Sequence, residues 1–166
     1  MKARVLLKHP LGVAALGFGS GLAPFAPGTF GSIAALVPAW WLVHDPRWLS
    51  LALLLIIPLG IAAGSYANRV LGGHDQGCIV IDEWAGQWLC LMPVVCLAPG
   101  LLASTQGKLM VFAVALLVFR LCDILKPWPV SWADRKLKGG FGVMADDLLA
   151  GAMAAMALSA IFLWTR

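Results

Sequence analysis

Two pairs of adjacent carboxylates stand out in this chain, Asp82-Glu83 and Asp146-Asp147, each placed where a long apolar stretch begins. Neighbouring carboxylates repel, and a low-dielectric border sharpens the repulsion. Two physical readings are open. Acids favour helix N-termini, where they meet the macrodipole and unpaired N–H groups. A hard divalent cation would also remove the repulsion, and Mg²⁺ takes carboxylate oxygens, keeps several waters and often contacts phosphate. One pair alone reads best as a cap. Two pairs at one depth of an apolar protein, where charge is costly, favour the metal.

Arg120, Asp123 and Lys126 follow at i, i+3 and i+6 and share one broad helix face. They are either an ion-pair ladder whose cations snorkel to an interface, or a further metal ligand flanked by two cations for a phosphate. Lys126-Pro127-Trp128-Pro129 ends that helix. Ser131-Trp132-Ala133-Asp134 then reads as a capping-box-like start of a short interfacial helix carrying Asp134, Arg135 and Lys138. Gly139, Gly140 and Gly142 let the chain turn into the next span, bringing Asp146 and Asp147 back toward Asp123. Upstream, residues 17–32 form a Gly- and Pro-rich elbow in which Thr29 and Ser32 are natural helix caps. Such an N-terminus offers N–H groups to an anion, although small residues also permit close helix packing. His74 and Asp75 occupy a loop, where a base role competes with simple solvation. The cysteines, Cys78, Cys90, Cys96 and Cys122, have neither C-x-x-C nor metal-ligand spacing.

The elements that must position these residues are membrane helices. Apolar residues make up 61% of the 166 and charged residues 12%, against roughly 45–50% and 25% in soluble domains. Mean hydropathy is +0.88. Eight acids and twelve Lys plus Arg leave too little polar surface for a soluble globule. They also exclude a disordered chain, a coiled coil and a nucleic-acid-binding domain. Residues 9–44, 48–68, 84–107 and 148–165 contain no Lys, Arg, Asp or Glu. About 20 apolar residues cross a bilayer, so Leu49–Tyr66, Trp84–Leu102, Lys108–Leu125 and Leu148–Trp164 each fit one crossing. The first interval splits at the elbow into Leu11–Ala23 and Thr29–Val43, about 20 and 22 Å long as helices. Thr29–Val43 reads as a fifth crossing, and Leu11–Ala23 as a short or re-entrant element. Irregular backbone at membrane depth needs protein or water against it, so the elbow hints at a site. Lys2, Arg4 and Lys8 precede an apolar stretch as in a signal peptide, but Gly17, Gly19 and Gly21 interrupt it and no A-x-A site follows. The reading is therefore all-α and polytopic, with about five transmembrane helices and one interfacial helix. Placing basic residues on the cytoplasmic side puts seven of the eight carboxylates there as well, with only Asp45 opposite. A small transporter or ion-coupled channel is the rival from another class, because broken helices and intramembrane carboxylates suit it too. It requires a polar path to the other face, and the outer half of every span is nearly charge-free.

The elbow, His74-Asp75 through Ile79-Val80-Ile81-Asp82-Glu83, Phe119-Arg120-Leu121-Cys122-Asp123, Lys126-Pro127-Trp128-Pro129, Asp134-Arg135 and the run from Gly139 to Asp147 together resemble the phosphatidylglycerophosphatase A family. The resemblance spans roughly residues 10–160. It implies a Mg²⁺-dependent lipid phosphatase of the bacterial inner membrane, a single domain over residues 1–166. Such an enzyme removes the terminal phosphate of the anionic phospholipid phosphatidylglycerophosphate at the cytoplasmic face. On that reading Asp82, Glu83, Asp123, Asp146 and Asp147 hold the metal and carry the catalysis. Thr29, Ser32, His74, Asp75, Arg120, Lys126, Asp134 and Arg135 meet the substrate.

Overall fold

The charge-free runs become helices whose ends are set by local chemistry. The computed structural model describes residues 2–73 and 77–164, and every regular element among them is helical. The α-helices are α1 (Pro10–Ala15), α2 (Pro27–Leu42), α3 (Pro46–Leu71), α4 (Ile81–Leu97), α5 (Thr105–Leu125), α6 (Val130–Lys136) and α7 (Gly139–Trp164). Short 3₁₀ segments cover Lys2–Lys8, Gly17–Leu22 and Pro99–Leu102. Proline opens α2 and α3, where its missing N–H costs nothing. The Asp45 side chain caps α3 by accepting the Arg47 amide at 2.8 Å. Ser104 caps α5 by accepting the Gly107 amide at 3.0 Å.

Among the described residues, two helices are long and apolar enough to cross a bilayer, Pro46–Leu71 and Gly139–Ile161. Helices α2 and α4, with 16 and 17 residues, fall short of the roughly 20 that a full crossing needs. Helix α5 has 21 residues.

Helix α7 is the hub, packing on α4, α3, α5 and α6. Its contact with α4 is backbone to backbone. A Cβ on Gly151 would lie 2.4 Å from the Gly86 carbonyl oxygen, and one on Gly86 would lie 2.7 Å from that of Asp147. Small residues thus let two helices meet without side chains between them, and Asp147 is drawn against the first turns of α4. Phe119, Leu91, Met144 and Leu158 are fully buried in the interior. Helix α2 is tied to α4 by the Trp88 indole N–H, which donates to the Ala35 carbonyl at 2.8 Å.

Four local expectations change. Leu11–Ala23 is not one element. It is the six-residue α1, about 9 Å long, followed by a 3₁₀ segment broken at Phe18 (φ 56°) and Gly19 (φ 109°). Thr29 and Ser32 do not cap α2. The N-cap is Ala26, held in the left-handed region at φ 43°, and the buried Ser32 hydroxyl donates to the Gly28 carbonyl at 2.9 Å. The capping box at Ser131 does not form. Helix α6 starts after Pro129 without a side-chain cap, and the Ser131 carbonyl accepts from Arg135 Nε instead. Finally, only Gly139, at φ 69°, turns the chain. Gly140 already lies in α7, so close to α3 that a Cβ would overlap the Ile61 carbonyl.

Candidate functional site

The early start of α7 moves Asp146 and Asp147 about two turns inside the helix, so neither is an N-terminal cap. Successive helical side chains diverge by about 100°, and the two acids take different partners. Asp147 turns to α4, where it meets Asp82 and Glu83. One carboxylate oxygen from each lies within 4.8 Å of the other two. All three residues are buried, at 4%, 7% and 9% exposure. Asp82 retains part of a capping role, since its Oδ1 accepts the Glu83 amide at 3.1 Å. Glu83 Oε2 is buried without a hydrogen-bond partner among the described residues. Three hard oxygen donors in one spot, one with an unused buried oxygen, match the donor set that Mg²⁺ takes.

Cations border this cluster. Arg120 Nη1 lies 2.6 Å from Asp123 Oδ2 and 3.8 Å from Glu83 Oε1, and Asp123 in turn interacts with Asp147. Lys126, at the C-cap of α5, adopts φ 43°. Its Nζ bridges Asp134 and, at 3.1 Å, Asp146. Burial by itself disfavours the Lys126 ammonium. The hydrogen bond to Asp134 and the charge of Asp146 outweigh burial and hold its pKa above the ordinary value. Asp146 and Asp134 also line a 160 Å³ cavity with Lys138, Gly139 and Val143.

The elbow closes the cluster from the α2 side. A Cβ on Gly28 would lie 2.2 Å from Glu83 Oε1 and 3.2 Å from both terminal Arg120 nitrogens. Thr29 follows it, half-buried.

Of the residues singled out from sequence, the fold therefore brings Asp82, Glu83 and Asp147 into one group, with Arg120 and Asp123 against it. Asp146, Lys126 and Asp134 form an adjoining ion-paired network. Arg135 is exposed and bonded to its own helix, and Ser32 is inside the packing of α2. His74 and Asp75 lie outside the described residues. Sequence reasoning passed over Gln87 and Asn68. Both are buried, and neither amide has a partner among the described residues. Gln87 follows Glu83 by one helical turn. Their signal was present as polar residues inside charge-free runs.

The model of the family described as phosphatidylglycerophosphatase A matches residues 13–162. Phosphatidylglycerophosphatase A of Escherichia coli (strain K12) is 39% identical over 158 residues, covering 93% of this chain and 84% of the relative. The Haemophilus influenzae protein of the same name is 37% identical over 166 residues, covering 97% and 94%. A putative phosphatidylinositol-3-phosphatase of Bacteroides thetaiotaomicron is 34% identical over 140 residues, covering 81% and 82%. No solved structure matches.

Proposed function

Because the chain belongs to the phosphatidylglycerophosphatase A family, we propose that it hydrolyses phosphatidylglycerophosphate to phosphatidylglycerol and phosphate at the Asp82–Glu83–Asp147 cluster, with Mg²⁺ as cofactor. It is a phosphatase acting on a lipid phosphomonoester. The observation that carries the assignment of the site is the convergence of three buried carboxylates beside Arg120. The relative named a putative phosphatidylinositol-3-phosphatase carries in its name the same class of substrate, a phosphomonoester on a lipid headgroup.

Asp82, Glu83 and Asp147 would hold the cation, with Asp123 as a further ligand or as the base. When bound, Mg²⁺ polarises the phosphoryl oxygens and lowers the pKa of a bound water. The remaining work falls to the chain. Arg120 and Lys126 neutralise charge on the phosphate oxygens, which matters most in a largely dissociative transition state. Asp123, held by Arg120, accepts a proton from the attacking water. That water bonds to phosphorus, the bond to the terminal glycerol oxygen breaks, and that oxygen leaves as the alcohol after taking up the proton that Asp123 accepted. The elbow at Gly28 and Thr29 keeps bulk water away from the Glu83 side.

On this reading the chain sits in the bacterial inner membrane as one domain with the cluster facing the cytoplasm, α3, α5 and α7 crossing at full length and the shorter α2 and α4 crossing where the bilayer thins to meet them. The carboxylate-bearing ends of α4, α5 and α7 lie together, while His44, Asp45, Arg47 and Lys108 gather at the opposite end. The direct experiment is phosphate release from phosphatidylglycerophosphate by the purified protein, with Mg²⁺ and with a chelator. Release that needs Mg²⁺ is expected. Undiminished release after chelation would remove the metal from the reading, and no release at all would remove the function.

A further inference from the structure

We propose that the lipid substrate enters sideways between α2 and α5 and lays an acyl chain in the groove these helices leave open. This rests on the phosphatase reading above and adds where the apolar part of the substrate goes. The groove has a volume of 580 Å³, and its walls include Ile33, Val37 and Trp40 of α2 and Leu109, Phe112 and Ala113 of α5. Val37 and Leu109 are 62% and 58% exposed.

An exposed apolar groove is ordinary on a membrane protein. What distinguishes this one is where its two walls lead. On α2, Thr29, Ile33 and Val37 are spaced i, i+4 and i+8, so one stripe runs from the elbow into the groove. On α5, Leu109, Phe112, Ala113, Leu116 and Arg120 follow one another at i+3, i+4 and i+7 spacings, so the opposite stripe runs from the groove to Arg120. The two stripes meet at the top, where a Gly28 Cβ would lie 3.2 Å from the Arg120 guanidinium nitrogens. The groove is thus apolar along its length and ends at the cation beside the carboxylate cluster.

The spacing fits a phospholipid. From Gly28 to Ile33, and from Arg120 to Ala113, the helical rise amounts to about 8–10 Å. That interval, roughly two turns, is room for the glycerol and the phosphodiester between a phosphate at Arg120 and an acyl chain at Ile33. Thr29, half-buried on the connecting stripe, is the polar side chain available to that interval. Helices α2 and α5 are also less closely packed on each other than α2 is on α4 or α5 on α7, so this seam parts at a lower packing cost than those two. The acyl chain is already in hydrocarbon, so the groove favours it through van der Waals packing rather than through removal from water, a contact that a headgroup alone does not make.

The test uses full-length protein in phosphatidylcholine vesicles with a phosphatidylglycerophosphate analogue carrying a diazirine midway along one acyl chain. After irradiation, labelled peptides are mapped by mass spectrometry. The expected result is labelling on Val37 and Leu109 that unlabelled dioleoyl phosphatidylglycerophosphate suppresses and extra dioleoyl phosphatidylcholine does not. Labelling there no greater than on Leu54 and Leu55, exposed on α3, or insensitive to the competitor, overturns the groove. A second arm fills it. In Ala113→Trp, the ratio of kcat/KM for dioleoyl over dihexanoyl phosphatidylglycerophosphate should fall roughly tenfold, about 1.4 kcal/mol of lost packing against the chain. Leu55→Trp on α3 should leave the ratio alone. Equal losses on both lipids in Ala113→Trp count against the proposal. If the wild type releases phosphate but labelling ignores the competitor, the groove alone fails. If it releases none, the phosphatase reading and the groove fall together.

Discussion

Asp146 and Asp147 are adjacent in sequence, yet one serves the carboxylate cluster and the other an ion pair. Asp147 shares the cluster with Asp82 and Glu83, so Asp147→Asn deletes a donor charge from the centre. A loss of at least about a hundredfold in kcat is expected, equal to about 2.7 kcal/mol of transition-state stabilisation, with the circular-dichroism spectrum retained. Asp146→Asn removes one of two acids bonded to Lys126, and Asp134 remains. Its effect should be milder, roughly tenfold or less, and should appear mainly in KM. Equal losses in both variants would contradict the division of roles. Lys126 makes a pH prediction. Its partners raise its pKa above 10.5, so the stabilisation it gains from them is complete below that value and is lost only as pH climbs through the higher folded value. The Tm difference between wild type and Lys126→Met should therefore stay constant from about pH 6 to about pH 9. A difference that shrinks within that range would mean the ammonium is not held by Asp134 and Asp146.

At the scale of elements, the sequence made the helices legible because charge is so scarce that its gaps outline them. Four of the five expected crossings match helices to within a few residues at most ends, and the elbow lies where Pro24, Pro27 and Gly28 place it. What periodicity does not encode is how a glycine is used. Gly139, Gly140 and Gly142 read as a turn, but Gly140 faces the backbone of α3, so tertiary contact carries α7 about two turns further back. The rotation of α7, and hence the choice of Asp147 over Asp146, follows from Gly86 and Gly151. No local pattern marks these two as opposing positions. This contact yields an element-level prediction. Gly151→Leu should push α7 off α4, lower Tm by several degrees, as overpacking costs about 1–3 kcal/mol, and abolish cation binding measured by calorimetry. The contrasting case is Ala26, which sits at φ 43° without a side-chain cap. A non-glycine residue there costs on the order of 1 kcal/mol, so Ala26→Gly should raise Tm slightly and keep activity. A drop in Tm would show that the Ala26 methyl contributes packing that outweighs its backbone.

For the whole molecule, the arrangement of charge is a statement about sidedness. The carboxylate cluster, Arg120, Lys126 and the basic end of α6 occupy one end, and the Asp45–Arg47 pair with Lys108 and His44 occupies the other. This second group is largely self-contained. Asp45 accepts from its neighbour Arg47, which holds its carboxyl below the usual range, and Lys108 bonds to His44 at 2.9 Å while lying over the Trp40 ring. A lipid phosphomonoester made on the cytoplasmic face needs its phosphatase on that face, because headgroup charge opposes passage through hydrocarbon. Arg47, with a side chain 89% exposed, and Lys138, exposed beside the cavity of Asp134 and Asp146, report the two ends. Single cysteines at these positions, in a background with Cys78, Cys90, Cys96 and Cys122 replaced, should react differently with an impermeant maleimide. Arg47→Cys should be labelled in intact spheroplasts, and Lys138→Cys only after lysis or in inverted vesicles. Loss of the exposed Asp45–Arg47 pair costs little, since solvent screens such surface pairs, so the probe does not disturb the fold it reports. Reversed labelling would set the cluster on the outer face. The excess of basic residues at the cluster end would then serve the phosphate rather than the orientation of the chain.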